Sequence, residues 1–427
     1  MKILVHPHLM EVGGSQLNAI ELADAVRRRG HEVVLYAPPG ELVEEVHRRG
    51  LELILAPSTR RMTPSPASAA RLVDLVRSRR FDVVHSYEWS ATLDTMYGPG
   101  WMAGTPVVST VLSMVVPKYI PASVPVVVGT NELYEAESKW RPEVYLMEPP
   151  IDVAANTPGI APFVEHDGRT QTVRERWGIP SDETLIVLVG RLAQGLKLGG
   201  VLEAIRAMAL LDERHRAHLL VVGDGPDREA VQALVDEVNA SAPRRLVTLA
   251  GLMMDPRPAY DAADVVLGMG GSILRAMSFG KPVIVQGEAG FWSTLDAGTV
   301  ETFRWQGWFG LGDGTDGAPE LARLLDELIA HPADMARNGE LGRRVVLDHY
   351  DIERAADELE QIYRRVAGRS HPMRERIRGS ASMTMFLARI EAGRVVRGAK
   401  RRVRAIPLVD RFAPAPKPPT RVGPSWS

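Results

Sequence analysis

Cysteine is absent from the 427-residue chain, which removes disulfide frameworks, thiolate metal sites, iron–sulfur clusters and a cysteine nucleophile in one step. No apolar run approaches the roughly 18 residues that a membrane span needs. The first such run, Met1–Val5, stops at His6-Pro7 and reads as a strand, not as the core of a signal peptide. These absences favour the cytoplasm. Net charge is lacking as well: 51 basic against 53 acidic side chains leave -2, so there is no overall electrostatic case for a nucleic acid partner. No Gly-x-Gly-x-x-Gly follows the first strand, which counts against a nicotinamide cofactor there, and no Gly-x4-Gly-Lys-Ser/Thr occurs, which removes the P-loop.

What remains is a chain with 45% hydrophobic residues, enough for two or three domains at roughly 100–200 residues each. Short β-branched runs recur at Lys2–Val5, Glu32–Tyr36, Leu51–Leu55, Asp82–His85, Pro106–Thr110 and Val124–Val128. Amphipathic stretches separate them, such as Leu17–Arg29 with Leu17, Ile20, Leu22 and Val26 on one face. The alternation lapses through the proline-rich Glu148–Asp152 and Asn156–Gly159. It restarts at Leu185–Val189 and continues through Leu219–Val222, Leu246–Leu249, Asp264–Leu267 and Pro282–Val285. Strand–helix alternation predicts parallel sheets covered on both faces, here two doubly wound α/β units in tandem. Such sheets bind ligands at the carboxyl ends of their strands, and facing units create a cleft there.

Several strand ends carry the residues an anion needs. Gly13-Gly14-Ser15 joins the first strand to the first helix, with Ser15 placed to cap it. Arg191 and Lys197 follow the strand ending at Val189-Gly190, and a guanidinium fork and an ammonium in one loop suit a diphosphate. Val222-Gly223-Asp224-Gly225-Pro226 ends the next strand, and Gly268-Met269-Gly270-Gly271-Ser272 opens the helix Ile273–Phe279 with bare N–H groups. Each alone is as readily a turn or a surface cation. Three at successive strand ends of one sheet describe a pocket for a nucleotide or another phosphorylated ligand.

In order and spacing, residues 1–367 resemble the glycosyltransferases of GT-B fold, and among them the retaining glycosyltransferase family 4. The likeness is carried by Gly13-Gly14, Arg29-Gly30-His31-Glu32-Val33, Asp82–His85, Val189–Leu192, Val222–Pro226, Tyr260–Val265 and Ala276–Val283. It implies two Rossmann-like domains facing across a cleft: an acceptor-side domain at 1–149, a linker at 150–180 and a donor domain at 181–350. A crossing helix at 351–367 and a tail at 368–427 follow. It further implies transfer of a sugar from a nucleotide diphosphate donor to a saccharide, lipid-linked or small-molecule acceptor. Arg191 and Lys197 match the basic pair that neutralises the departing diphosphate, the work a metal does in other transferases. Asp-x-Asp occurs nowhere, so neither a metal nor another cofactor is expected. Gly14 matches the loop that closes over the phosphates, and Asp224, Gly270, Gly271 and Ser272 join the expected donor site.

The chain also departs from that pattern. Family members carry Glu-x7-Glu before the Gly-Lys-Pro strand, its second Glu on the donor ribose; here Arg275 holds that position and no acidic residue lies between Asp264 and Glu288. Leu112 stands where many members have a histidine, and Pro149-Pro150 replaces a linker Asn-Gly. Three readings follow. The chain is an active transferase in which Arg275 meets phosphate or an acidic group and Glu288 contacts a hydroxyl; it takes a different donor; or it is a non-catalytic nucleotide- or glycan-binding protein partnering an active transferase. The retention of both cations favours activity.

His85, ending a strand before Ser86-Tyr87-Glu88-Trp89, is a candidate for the acceptor side, or else a hydrogen-bonded edge residue. His6 and His8 lack a third metal ligand, and Trp292, Trp305 and Trp308 read first as core. The tail from Gly368 holds 14 Lys/Arg against 3 Asp/Glu, leaving 37 against 50 on the preceding residues. Met383, Phe386, Leu387 and Ile390 recur there at helical spacing among arginines. Such a helix suits a peripheral contact with an anionic membrane. The other reading is docking on the acidic body or an unstructured extension.

Overall fold

The computed structural model describes residues 1–57, 65–118, 120–159, 163–166, 168–194, 197–211, 214–369 and 377. Its first sheet is assembled from β1 (Lys2–Pro7), β2 (Glu32–Ala37), β3 (Glu52–Leu55), β4 (Val83–Tyr87), β5 (Val107–Val111), β6 (Val126–Val128) and β7 (Val144–Leu146). The order is β3-β2-β1-β4-β5-β6-β7, every neighbour parallel. Val33, Val34, Leu35, Tyr36 and Ala37 are all buried, as a strand covered on both faces requires. The cover comes from α1 (Gly14–Arg28), α2 (Val43–Arg48), α3 (Pro66–Arg79), α4 (Glu88–Thr95) and α5 (Asn131–Ser138), with a π-helical segment at Met96–Ala103.

The stretch read as a linker contains a hairpin, β8 (Phe163–His166) with β9 (Arg169–Thr172), followed by α6 (Val173–Trp177). The second sheet holds β10 (Thr184–Val189), β11 (Ala217–Val222), β12 (Val247–Gly251), β13 (Val265–Gly268), β14 (Val283–Gln286) and β15 (Trp292–Thr294). They run in the order β12-β11-β10-β13-β14-β15, with only β15 antiparallel. Around it lie α7 (Leu198–Leu211), α8 (Arg228–Ala240), α9 (Arg257–Ala262), α10 (Gly271–Ser278), α11 (Val300–Gln306), α12 (Ala318–Ala330) and α13 (Pro332–His349). Two apolar clusters fill its two faces. In both sheets the strand order reverses beside the first strand, between β1 and β4 and between β10 and β13, and ligands bind outside the carboxyl ends of the strands at such a point.

Two crossings join the sheets. The backbone at Ile151 runs beside the return segment at Tyr350–Ile352, with the Ile151 N–H on the Tyr350 carbonyl at 2.7 Å and the Ile352 N–H on the Ile151 carbonyl at 3.0 Å. The Tyr350 hydroxyl donates to Glu148 at 2.7 Å and accepts from the Trp308 indole at 3.0 Å. The last helix, α14 (Ile352–Ala367), returns to the first domain, where Leu359, Ile362, Tyr363 and Val366 join its core. Full burial of such side chains contributes about 1.5–3 kcal/mol each. Polar contacts frame that seam, with Arg28 on Glu353 at 2.7 Å and Arg29 on Asp357. The described residues up to 369 belong to one compact unit. The tail helix expected from the arginine-rich segment lies outside the described residues, and among those no helix is long and apolar enough to cross a membrane.

Candidate active site

A cleft of about 1150 Å³ lies at the carboxyl ends of the two sheets and takes walls from both. Its position follows from topology: β1, β4, β10 and β13, the strands at the two reversal points, all deliver their following loops to it. From the first domain come the glycine turn before α1 and the start of α4; from the second come the loops after β10, β11 and β13. Of the residues expected from the sequence, Gly14, Arg191, Lys197, Asp224, Gly270, Gly271, Ser272 and Arg275 line this one cleft.

The cationic loop is held by interlocked backbone. The Gly190 N–H bonds the Val222 carbonyl at 3.0 Å, the Leu192 N–H bonds the Asp224 carbonyl at 2.9 Å, and the Asp227 N–H returns to the Leu192 carbonyl at 3.0 Å. Gly223 sits at φ +150, where a Cβ would come within 1.8 Å of the Gly190 oxygen. Only glycine lets these strand ends approach so closely. Arg191 leaves this frame half-exposed and pairs across the cleft with Glu11 at 2.8 Å. Lys197 is half-buried, and burial pulls its ammonium below the ordinary lysine range. Its carbonyl accepts from the Gln286 amide at 2.9 Å, which anchors the start of α7.

Helix N-termini add partial positive charge. At α10 the Gly270 N–H goes to the Trp308 carbonyl at 2.7 Å. It is therefore not bare, in contrast with the sequence reading, and Gly271 and Ser272 present the open end of the helix. Gly270 takes φ +57 to make the turn. At α1 the N-cap is Gly13 and no side chain caps the helix, so the cap expected from Ser15 does not form. The buried Ser15 hydroxyl and the buried Nδ1 of His8 both lack a partner among the described residues. Both residues line the cleft beside the glycine turn. Asp224 reaches the cleft, but its carboxylate accepts from the Gly225 N–H at 2.7 Å and from Arg228 at 3.2 Å.

Other expectations change. Arg275 meets an acidic group: its Nη2 donates to both oxygens of Glu21 at 3.0 Å, joining α10 to α1 across the domains. Burial opposes the guanidinium charge, but the Glu21 carboxylate outweighs it and lifts Arg275 above its ordinary value. Glu288 does not reach the cleft; its backbone pairs with the Gly310–Gly312 segment beyond β14. His85 is fully buried beneath α14, its two ring nitrogens bonded to Tyr363 at 2.6 Å and Thr110 at 2.7 Å. Burial lowers its pKa to about 3, so it is a neutral core residue and not an acceptor-side group. His6 is likewise buried, on the Tyr36 carbonyl at 2.6 Å. Trp292 and Trp308 are core, whereas Trp305 is 47% exposed.

Neighbours of His85 reach the cleft where His85 does not. Glu88 and Trp89 line the cleft, and Glu88 holds φ +67, a strained backbone for a side chain of that kind. Its carboxylate accepts from the Leu112 N–H at 3.0 Å and from the Ser113 hydroxyl at 2.5 Å. Glu11, Glu21 and His8 escaped the sequence reading of the cleft. The only signal for Glu21 was a carboxylate among the apolar residues of α1.

A family model described as "Glycosyltransferase Family 4" matches residues 12–127, and one described as "Glycosyl transferases group 1" matches residues 183–327. One falls on each sheet. Among curated relatives, 2-deoxystreptamine glucosyltransferase of Streptomyces kanamyceticus is 30% identical over 47% of this chain and 50% of its own length. Alpha-monoglucosyldiacylglycerol synthase of Acholeplasma laidlawii is 25% identical over 28% of this chain and 30% of its own. The chain thus spans about half the length, or less, of these relatives. Solved structures agree over far more of the fold. A glycosyltransferase from Rickettsia africae superposes with TM-score 0.65 at 16% identity, covering 86% of this chain and 99% of that one. HepE of Anabaena, solved with UDP and glucose, gives 0.65 at 15% identity over 85% and 99%. Fold and matches together define the class: a glycosyltransferase of the GT-B type. Because the two halves match two differently described groups, the class stands at that level and not at family 4 alone.

Proposed function

We propose that the chain transfers a glycosyl group from a nucleoside diphosphate sugar, with retention at the anomeric carbon and without a bound metal. The observation that carries this reading is the convergence of Arg191, Lys197, two helix N-termini and two orphaned polar groups on one interdomain cleft. The diphosphate takes the place of Glu11 on Arg191, and the Lys197 ammonium, destabilised by burial, gains a counter-ion. The C1–O bond to the diphosphate breaks, the acceptor oxygen bonds C1, and the acceptor proton passes to the departing phosphate oxygen. Charge gathers on that oxygen, where preorganised cations and N–H groups act most strongly. Both substrates are held for direct reaction, and no side chain is assigned as a nucleophile. The acceptor enters over Glu88 and Trp89. HepE, named above, was solved with UDP, which makes UDP the first nucleotide to test.

Titration of the chain with UDP, GDP, TDP and ADP identifies the diphosphate. Arg191→Ala or Lys197→Ala then weakens it by roughly 10- to 100-fold, the loss expected for charge-assisted bonds of about 1.5–3 kcal/mol. Nucleotide release from the matching sugar nucleotide, unchanged by a chelator, measures turnover, and NMR of the product gives its anomeric configuration. A screen across saccharides, lipid-linked sugars and small hydroxylated molecules finds the acceptor. Unchanged diphosphate affinity in both variants sinks the assignment.

A further inference from the structure

The Glu21–Arg275 pair has features that an interdomain strut does not need. Both residues line the cleft, and their side chains are only 7% and 16% exposed. The contact is also one-sided: a single nitrogen, Nη2, stands 3.0 Å from each carboxylate oxygen. Arg49 approaches one of those oxygens at 3.7 Å, beyond hydrogen-bond reach. A carboxylate offers about four lone-pair sites, and Nη2 lies between the two oxygens, so the outer side of each remains uncommitted among the described residues. Glu21 is thus a fixed, charged acceptor on the wall of a polar cleft with capacity to spare.

Its place on the wall says what it would accept. Arg275 follows Gly271 by four residues on α10, about 6 Å along the axis. That is about the reach from a phosphate at the helix N-terminus to the hydroxyls of a sugar ring attached to it. The second domain supplies no carboxylate of its own there, because residues 265–287 contain none. A vicinal diol needs a paired acceptor, and two oxygens of one carboxylate, held in plane by a guanidinium, provide it.

Resting on the nucleoside diphosphate reading, we propose that Glu21, oriented by Arg275, is the carboxylate that recognises vicinal hydroxyls of the donor, so that the first domain reads a ligand bound mainly by the second. Glu21 determines specificity by touching the donor; Arg275 is a positioning residue. The hydroxyls belong either to the ribose or to the transferred sugar, and the test separates the two.

Affinities are measured for UDP, GDP and ADP against their 2′-deoxy forms, and for UDP-glucose against UDP, in the intact chain, in Glu21→Gln and in Glu21→Gln/Arg275→Met. The double variant leaves no buried charge stranded, so a folding defect of the single variant does not obscure the answer. If the ribose is read, the intact chain prefers the ribonucleotide by roughly tenfold and both variants lose that preference. If the transferred sugar is read, the variants keep it and lose the affinity that glucose adds. Variants that retain both discriminations, or weaken every ligand by the same factor, overturn the proposal and leave Glu21 a strut. Arg191→Ala reports separately on the diphosphate: if it weakens none of these ligands, that reading falls whatever Glu21 does.

Discussion

Gly223→Ala is the substitution that tests how the cationic loop is built. The added Cβ would lie 1.8 Å from the Gly190 carbonyl oxygen, against a floor near 3.0 Å for such contacts, and φ is +150. The obstacle is backbone and cannot swing aside as a side chain would. The Gly190 carbonyl must therefore retreat by more than an ångström, in the residue that precedes Arg191 and carries the N–H bond to Val222. Overpacking costs about 1–3 kcal/mol and an unfavourable backbone about 1–3 kcal/mol more, so a loss of roughly 2–6 kcal/mol is expected. That is a large part of the about 5–15 kcal/mol that holds a domain together. Denaturant melts of the full chain should show a lower midpoint for one transition, and diphosphate titration should show at least tenfold weaker binding. Gly14→Ala is the control: nothing lies within 4 Å of its Cβ position, so the variant should melt like the parent while its methyl intrudes where phosphate approaches the α1 terminus. A Gly223→Ala chain with unchanged melt and affinity, or a Gly14→Ala chain with a lowered midpoint, would refute the account of the loops.

Other perturbations reach different parts of the molecule. Diphosphate binding favours the charged form of Lys197, so affinity should be full below the pKa of Lys197 in the unbound chain and decline as pH rises through it. Burial has lowered that pKa, so the decline starts earlier than for an ordinary lysine, and Lys197→Arg should flatten the profile in calorimetric titrations. Glu11→Gln frees Arg191 from a half-exposed pair worth about 0.2–1 kcal/mol; diphosphate affinity should rise by roughly 1.5- to 5-fold, and weaker binding would show that Glu11 helps the ligand instead. Burial raises Asp94 to about 6 from 3.8, so the folded chain binds more protons than the unfolded one between those values, and stability falls as pH climbs through that window. The full cost above pH ~6 is on the order of 3 kcal/mol; Asp94→Asn should raise the melting midpoint at pH 8 and, by roughly half as much, at pH 5. Tyr350→Phe strips a donor from half-buried Glu148 and a partner from the Trp308 indole, and should cost about 1–3 kcal/mol in the same melts.

Much of this molecule is legible in one dimension. Eleven strands of the two sheets announce themselves as β-branched runs, because a strand buried on both faces has to be apolar throughout, and each observed strand overlaps its expected run. Val144–Leu146 and Trp292–Thr294 are three residues long, too short for a period, and the 163–172 hairpin carries no alternation that distinguishes it from a linker. The glycine turns and both cations were visible because close backbone approach at strand ends demands particular residue types in particular loops. His85 was misplaced for the opposite reason: a strand end is shared by the cleft and by the seam under α14, and which one a side chain faces depends on a helix 278 residues away.

Glycine placement, strand periodicity and the two cations are local demands, and the sequence alone therefore determined two doubly wound units with glycine turns and two cations at their strand ends. The carboxylates that complete the cleft are a tertiary matter. Glu11 and Glu21 come from the first domain and meet Arg191 and Arg275 of the second; Glu88 gains its role from a left-handed backbone and two donors after β5. Nothing in the spacing of a chain records which charges will face each other once two sheets pack together, since that depends on the crossing at Ile151 and Tyr350 and on the docking of α14, and only the folded structure brings them together.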